Sequence, residues 1–304
     1  MATLKGQNFR ICIFDATAEK YKVIGMSTGC PVTLTNNTDD GSHKDIVGAA
    51  AMPTVVSRSW SVSCDSLDVS DAAAMLTAIK SMQPMTLLWD ETATSNNQTL
   101  QKATFARKGS AYLNDVTFNF NDRENATKSL QFTGSGALES LVSGDAIDVI
   151  SVGSYTKGQF VRLLLGNDNS VTPTKFIAGA KQLSLHVSLT MEDATTKDTE
   201  GDWSIQEPTA LNYDISTNAL VSSGEIITSE VQANDLKSMQ DLYEAGTPVK
   251  WQIANVSGDN NRTKGSVIVS GSALLTQLTI NAAVRTAAAY DAQLTGYGAY
   301  EVGS

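Results

Sequence analysis

An internal repeat is the feature that most restricts what this 304-residue chain can fold into. Segments of the first half recur in the same order in the second half, which indicates a duplicated structural unit. Residues 60–67 match 213–220, Pro84 matches Pro248, and residues 132–139 match 294–301. The offset between the copies grows after residue 220. This growth predicts an insertion of about 11 residues near positions 222–230, in a surface loop that tolerates a change of length.

The repeat divides the chain into two similar domains. We predict a first domain over residues 1–140, a linker over residues 141–156 and a second domain over residues 157–304. Both domains fall within the usual length of roughly 100–200 residues.

Each copy shows the pattern of a mainly β domain. A short apolar run comes first (residues 9–14 and 160–165), and alternating segments follow at residues 31–35, 59–64, 183–189 and 212–216. Alternation with period two is typical of strands that bury one face. Long polar segments, residues 36–45 and 190–202, separate the alternating segments. We therefore predict two β-sandwich or small barrel domains.

One flanking α-helix interrupts the β pattern in each copy. The spacing predicts helices that begin after the caps Ser70 and Asn234 and end before Pro84 and Pro248. The side chains predicted to face the core are Met75, Ile79 and Met82 in the first helix, and Leu236, Met239, Leu242 and Tyr243 in the second.

The composition excludes several classes of protein. With 32 Asp and Glu against 22 Lys and Arg, the net charge is -10, and the clustered cations that grip a phosphate backbone are missing. The low charged fraction of 18% argues against disorder. No run approaches the roughly 18 apolar residues that span a membrane, and the first residues lack the apolar region of a signal peptide. We expect a globular protein made inside the cell.

The three cysteines, Cys12, Cys30 and Cys64, fit neither a zinc pattern nor a disulfide framework. Their number is odd and the chain is long. We predict three free, buried thiols in a reducing compartment.

The residues that usually carry chemistry are few. Neither His43 nor His186 has a partner at ligand spacing, and no nucleophile-elbow, zinc-protease or phosphate-loop motif occurs. Carboxylates cluster at Asp39, Asp40 and Asp45 and again between residues 192 and 202. Such clusters occur in glycoside hydrolases and calcium sites, but a solvated, negatively charged surface is the favoured interpretation. We expect no enzymatic activity, no metal site and no cofactor, and we keep a hydrolase as an alternative.

The order of these segments resembles the major tail tube protein of long-tailed bacteriophages over nearly the whole chain. The second copy carries the resemblance best, in Lys197-Asp198, in residues 213–216, in Pro248-Val249 and in residues 289–298. The first copy departs from the family pattern, because Ser129-Leu130 precede its residues 131–134.

The resemblance implies a self-assembling structural protein. Tail tube proteins form rings of six β-sandwich domains whose inner strands join into one barrel, and the rings stack. A duplicated chain is therefore expected to form a homotrimer with pseudo-sixfold symmetry. The long hairpin loops, residues 36–58 and 190–209, are the expected contacts between rings. The residues expected to make these contacts are Asp39, Asp40, His43, Lys44, Asp45, Asp193, Lys197 and Asp198.

The implied function is to conduct DNA during ejection without binding it specifically. A lumen that is polar or acidic and poor in Lys and Arg would repel phosphates. The implied partners are further copies of the chain, a tape measure protein and a tail terminator. The implied location is the tail of the virion, after synthesis in the cytoplasm of a bacterial host. The tube of a contractile injection or type VI secretion-like machine, and a carbohydrate-binding β-sandwich, stay open as alternatives.

Overall fold

The computed structural model describes residues 5–16, 18–43, 51–92, 100–142, 155–170, 172–199, 201–221, 233–257 and 263–303. We use "first half" for the described residues up to 142 and "second half" for those from 155 onward. The predicted insertion at residues 222–230 and most of the predicted linker lie outside the described residues. None of the described helices is long and apolar enough to cross a membrane.

The described part of the chain is mainly β, as predicted. The first half contains β1 (Phe9–Asp15), β2 (Lys20–Val23), β3 (Ser27–Gly29), β4 (Val32–Asp40), β5 (Pro53–Ser66), α1 (Ala72–Ser81), β6 (Met85–Glu91), β7 (Arg107–Asn121), β8 (Thr127–Gly134) and β9 (Glu139–Ser140). The second half contains β10 (Val161–Leu165), β11 (Lys175–Ile177), β12 (Ala180–Asp193), β13 (Gln206–Leu220), β14 (Ala233–Asn234), α2 (Leu236–Ala245), β15 (Val249–Ser257), β16 (Thr263–Asn281), β17 (Ala289–Gly296) and β18 (Glu301–Val302). Short 3-10 turns precede β1 and β10.

The two halves pair their strands in the same order. In the first half the neighbours run β2-β1-β6-β7-β8-β5-β4, and in the second half they run β11-β10-β15-β16-β17-β13-β12. The irregularities also correspond. The register shifts after Leu113 on β7 and after Leu275 on β16, and it shifts after Asn37 on β4 and after Thr190 on β12.

An antiparallel pairing of β7 with β12 joins the halves into one sheet. Val116 lies opposite Val187, and Phe118 lies opposite Leu185. The strands β4-β5-β8-β7-β12-β13-β17-β16 therefore run side by side, and we call this eight-stranded layer the main sheet. Its two outer strands are β4 and β16.

One apolar core lies beneath the main sheet and includes buried residues of both halves. Trp60 packs against Trp89 with ring centroids 5.7 Å apart, and Tyr213 packs against Trp251 at 5.6 Å. A glycine permits each contact: a Cβ on Gly134 would lie 2.2 Å from the Trp60 ring, which is too close for any side chain. Trp60, Trp89 and Trp251 lie on strands and are buried, so these three form no exposed platform for a sugar.

The helices lie where the sequence predicts them, but their caps differ from the prediction. Asp71 and Asp235, rather than Ser70 and Asn234, precede the first turns. The Asp235 carboxylate accepts a hydrogen bond from the Ser238 backbone N–H at 2.8 Å, which satisfies one of the free donors of the first turn. Tyr243 was predicted to face inward, and this is wrong, because its side chain is 51% exposed.

The prediction of three free thiols is wrong for two of the cysteines. Cys30 and Cys64 form a disulfide, whereas Cys12 is a free, buried thiol. Cys30 lies two residues before the start of β4, and Cys64 lies on β5, so the pairing of these strands brings the two sulfurs together. Burial, with a contribution from the nearby Asp90, raises the pKa of Cys12 to about 12.

Thiol counting tests this assignment. Because the thiolate is the reactive form and Cys12 is buried with a raised pKa, we expect no rapid reaction of the native protein with an aromatic disulfide reagent at pH 8. After unfolding without reductant one thiol should react, and after reduction three should react. Three reactive thiols in the unreduced, unfolded protein would contradict the disulfide.

Candidate assembly surfaces

The outward face of the main sheet is built mainly from polar side chains, with Tyr112 and Leu274 among them beside Thr133 and Thr295. Alternation along each strand turns the apolar residues toward the core and the polar residues outward, and antiparallel pairing brings outward residues of neighbouring strands together. We call this surface the polar face. It comprises Thr33, Thr35, Ser61, Ser63, Asp65, Asp115, Thr117, Asn119, Asn121, Thr127, Ser129, Gln131, Thr133, Gln182, Ser184, His186, Ser188, Asn212, Asp214, Ser216, Asn218, Gln277, Thr279, Asn281, Asp291, Gln293 and Thr295.

The charges of the polar face have one dominant sign. Four of its residues are aspartates, at positions 65, 115, 214 and 291, and none is lysine or arginine. Its single histidine, His186, places Nε2 at 2.7 Å from the Asp115 carboxylate, across the join between β7 and β12. Serine, threonine and amide side chains cover the remainder, so a polyanion meets no fixed positive charge there.

The polar face is concave over the second half. A depression of about 490 Å³ is bounded by Asn119 and Asn121 of β7 on one side and by Gln277 and Thr279 of β16 on the other. Three strands, β12, β13 and β17, separate these residues within the sheet. Residues so far apart line one depression because the sheet curls toward its polar face.

The carboxylate of Asp291 is held by two amides in this depression. The Asn218 side chain donates a hydrogen bond to Asp291 at 2.7 Å, and the Asn281 side chain donates a second at 2.6 Å. Asn218, Asp291 and Asn281 belong to three neighbouring strands. The amides therefore fix the negative charge in place on the sheet surface.

The outer strands of the main sheet leave apolar side chains exposed. On β4, Leu34 turns toward the core side but is 62% exposed, and on β16 Ile280 does the same and is 48% exposed. The corresponding side chains at the join between the halves, Val187 and Phe118, are buried. Exposed apolar residues on unpaired strands are typical of edges that associate with another strand.

The tips of the β4–β5 and β12–β13 hairpins lie at the same end of the main sheet. β12 runs antiparallel to β7, and β7 runs antiparallel to β8, which in turn is antiparallel to β5. The four strands of the two hairpins thus point their tips the same way.

The strands of both hairpins extend well into the segments predicted as polar loops. The pairing reaches Asp40 and Pro53 in the first hairpin and Asp193 and Gln206 in the second. The prediction that these segments are loops throughout is therefore wrong. Both faces of these strand ends are exposed, so their sequences do not show the alternation of apolar residues by which strands were identified.

The candidate inter-ring residues are exposed on these tips. Those described are Asp39, Asp40 and His43 on the first hairpin and Asp193, Lys197 and Asp198 on the second. Lys44 and Asp45 lie outside the described residues. The structure thus places the two groups on separate tips at one end of the sheet.

The two tips repeat the same hydrogen bonds. The Asp40 carboxylate accepts from the Ser42 backbone N–H at 2.9 Å, and the Asp193 carboxylate accepts from the Thr195 N–H at 2.9 Å. Hydrogen bonds from the side chain and backbone of Ser42 and of Thr195 lower the pKa of the respective aspartate below its usual value. Both carboxylates are therefore held ionised at the tips.

The second tip also contacts the first half. The Arg58 backbone N–H donates to the Asp202 carbonyl at 2.6 Å, and the Ser204 N–H donates back to the Arg58 carbonyl at 2.9 Å. The Gly136 N–H donates to the Ser204 carbonyl at 2.9 Å. Part of the segment that was predicted to reach another ring thus forms hydrogen bonds with the first half of the same chain.

The described residues contain no group of three or more His, Cys, Asp or Glu side chains that could hold a metal ion. His186, with no partner close in sequence, contacts Asp115 from the other half. Sequence reasoning missed this pair and the polar face. The outward positions of the alternating segments were the available signal, but only the strand pairing shows that they share one surface.

No protein-family model matches the chain, and no curated protein matches it. Solved tail structures are similar over about half of the chain, among them the following three. The tail of an empty gene transfer agent particle, refined with C6 symmetry, aligns with a TM-score of 0.38 and 16% identity, over 49% of this chain and 99% of the other. The virion of a native gene transfer agent particle aligns with a TM-score of 0.37 and 15% identity, over 49% of this chain and 99% of the other. The SPP1 tail tube aligns with a TM-score of 0.32 and 16% identity, over 48% of this chain and 78% of the other.

Proposed function

We propose that this chain is the structural tube protein of a phage tail. Its two tube domains, residues 1–140 and 157–304, are joined by the linker 141–156, and copies assemble into rings that stack into a conduit for DNA. The observation that carries the proposal is the pairing of β7 with β12. The strands that correspond to these two are β16 and β4. Among the described residues, β4 and the 274–281 part of β16 have a neighbouring strand on one side only, so the internal join can be repeated between copies.

The register of such a repeat follows from the internal join. Because Ala111 pairs with Gly134 and Ala273 pairs with Gly296, Leu278 on β16 takes the place of Val116. Leu34 on β4 takes the place of Val187, because Leu34 pairs with Trp60 and Val187 pairs with the corresponding Tyr213.

Between copies, Leu278 therefore faces Leu34, and Ile280 faces Val32. Both pairs put apolar side chains together on the core side. This repeat buries Leu34 and Ile280, the exposed apolar residues at the two edges.

Three copies close the ring in this proposal. The internal join has the geometry of one step around the ring, and the curl of the main sheet toward its polar face gives the direction of closure. The resemblance to tail tube proteins, whose rings contain six domains, supports three duplicated chains in each ring. Closure also removes the two exposed strand edges, which otherwise promote aggregation.

The polar face becomes the lumen in this arrangement. Its aspartates repel the phosphates of DNA, and its serine, threonine and amide groups exchange hydrogen bonds with water. With no lysine or arginine on this face, no fixed cation retards the strand as it slides. The proposed role is accordingly passage without specific binding, in a tail built with a tape measure protein and a tail terminator.

The second candidate is the tube of a contractile injection or type VI secretion-like machine. A neutral to acidic, hydroxyl-rich lumen also suits the passage of protein, so the polar face is the observation that favours this alternative as well. The exposed tips, with Asp39, Asp40, His43, Lys44, Asp45, Asp193, Lys197 and Asp198, are proposed to hold successive rings in either machine.

Electron microscopy of the concentrated, full-length protein tests the proposal. We expect rings with threefold symmetry seen end-on and stacked tubes seen from the side, and the variant Asp45→Lys with Asp198→Lys should give rings without stacks. Rings of six chains would overturn the trimer, and a protein that stays monomeric at every concentration would overturn the tube.

A further inference from the structure

A cavity in the second half has a filled counterpart in the first half. It has a volume of about 720 Å³ and is lined by Leu211, Tyr213, Gly296 and Gly298, together with Lys80 and Met82 from the end of α1. By the strand pairing, Leu211 corresponds to Arg58, Tyr213 to Trp60 and Gly296 to Gly134. In the first half, the position equivalent to this cavity is occupied by the second tip.

The contacts of the filled counterpart are specific. Ser204 exchanges backbone hydrogen bonds with Arg58 and Gly136, and the Ser135 hydroxyl accepts from the Gln206 N–H at 3.0 Å. The side chain of Ile205 lies against Gly136, 3.7 Å from where a Cβ would be. Residues 204–206 thus fill the space between β5 and the turn after β8.

The turn is built alike in both places. Gly136 adopts φ +85° and Gly298 adopts φ +76°, in the region that favours glycine. The second-half turn has the shape that receives a chain segment, but among the described residues no corresponding segment of this copy occupies it.

The first tip presents a segment of the same construction. The Gly41 N–H donates to the Met52 carbonyl at 2.9 Å, as the Ala194 N–H donates to the Ile205 carbonyl at 2.9 Å. The Met52 N–H donates to the Ser42 hydroxyl at 3.3 Å, as the Ile205 N–H donates to the Thr195 hydroxyl at 2.9 Å. Met52 therefore holds the position of Ile205, and it is 49% exposed.

We propose that the cavity beside Gly298 binds residues 51–53 of a second copy, with the Met52 side chain against Gly298. The occupant has to come from another copy, because the first tip belongs to β4 and β5 at the far edge of the main sheet. The inference rests on the proposed ring, and it assigns a lateral contact to part of a hairpin tip that was predicted to join successive rings.

The two helices indicate the same missing neighbour. Asp71 and Asp235 precede α1 and α2, and Met82 and Gly246 follow them in the left-handed conformation, so Ile79 and Tyr243 hold corresponding positions. Ile79 is 1% exposed because α1 packs between the halves, and the Lys80 ammonium donates to the Tyr300 carbonyl at 2.7 Å. Tyr243 is half exposed because nothing among the described residues covers α2 as the second half covers α1.

Cysteine cross-linking tests the docking site. In the variant Ala51→Cys with Leu211→Cys, we expect oxidation of assembled rings to link copies into a series of bands that ends at the closed ring. The matched control is Arg58→Cys with Ser204→Cys, which should form the same link within one chain. Native cysteines do not compete, because Cys12 is buried and Cys30 is bonded to Cys64.

A second pair separates the docking site from the ring itself. Leu34→Cys with Leu278→Cys should cross-link copies through the edge strands. If this pair links copies but Ala51→Cys with Leu211→Cys does not, the docking site is wrong and the ring stands. If neither pair links copies and no rings form, the proposed function fails as well.

A third measurement tests the contact of the Met52 side chain with the cavity. Met52→Asp should weaken association between copies at least tenfold, since it places a charge against the cavity wall, whereas Met52→Leu should change association less than twofold. Equal association of both variants would overturn the role of Met52.

Discussion

Replacing Leu34 by lysine is expected to prevent ring formation while the single chain stays folded. In one copy Leu34 is 62% exposed, and surface substitutions of this kind usually change the free energy of unfolding by no more than about 0.5 kcal/mol. In the proposed ring the same side chain faces Leu278 of the next copy. An unpaired ammonium buried there costs several kcal/mol even after relaxation. Association at each seam should therefore weaken by about 100-fold or more.

Light scattering across a concentration series measures this effect, and thermal unfolding monitors the fold. The matched control is Val284→Lys, which places the same charge on another exposed apolar residue, 89% exposed in the turn between β16 and β17. Val284→Lys should assemble as the unchanged protein does. Rings formed equally well by Leu34→Lys would show that β4 is not part of the seam.

The elements with a local pattern were predictable from the sequence. Short apolar runs indicated β1 and β10, and alternating apolar residues indicated β5 and β13. Prolines marked the ends of both helices, because the loss of a backbone donor is a local effect. The hairpin ends were missed. Residues 36–40 are exposed on both sides, so no alternation identifies them as a strand.

The candidate surfaces depend on pairings between distant residues. The Cys30–Cys64 disulfide and the Asp115–His186 pair form only because particular strands become neighbours. Likewise, Tyr243 follows the pattern of an inward-facing residue but is half exposed in a single copy. In the proposed ring a second copy completes the environment that this apolar pattern indicates, and a single chain does not show that environment.

Replacing Asp71 by alanine is expected to destabilise the folded chain strongly, whether or not copies associate. Lys128 lies on the core side of β8 with a fully buried side chain, and its ammonium forms an ion pair with the Asp71 carboxylate. Alternation along β8 places Lys128 beside Leu130 and Phe132, where a charge has no access to water. Removing the partner leaves that charge uncompensated, which typically costs about 3–5 kcal/mol.

The matched variants separate the charge from the packing. Lys128→Met keeps the aliphatic length and leaves Asp71 partly exposed, so its cost should be below about 1.5 kcal/mol. In the double variant Asp71→Ala with Lys128→Met the buried charge is gone, and most of the stability lost in Asp71→Ala should return. Thermal unfolding of the four proteins measures the coupling. If Asp71→Ala and the double variant melt at the same temperature, the buried ammonium finds another partner, and the ion pair does not hold β8 to the start of α1.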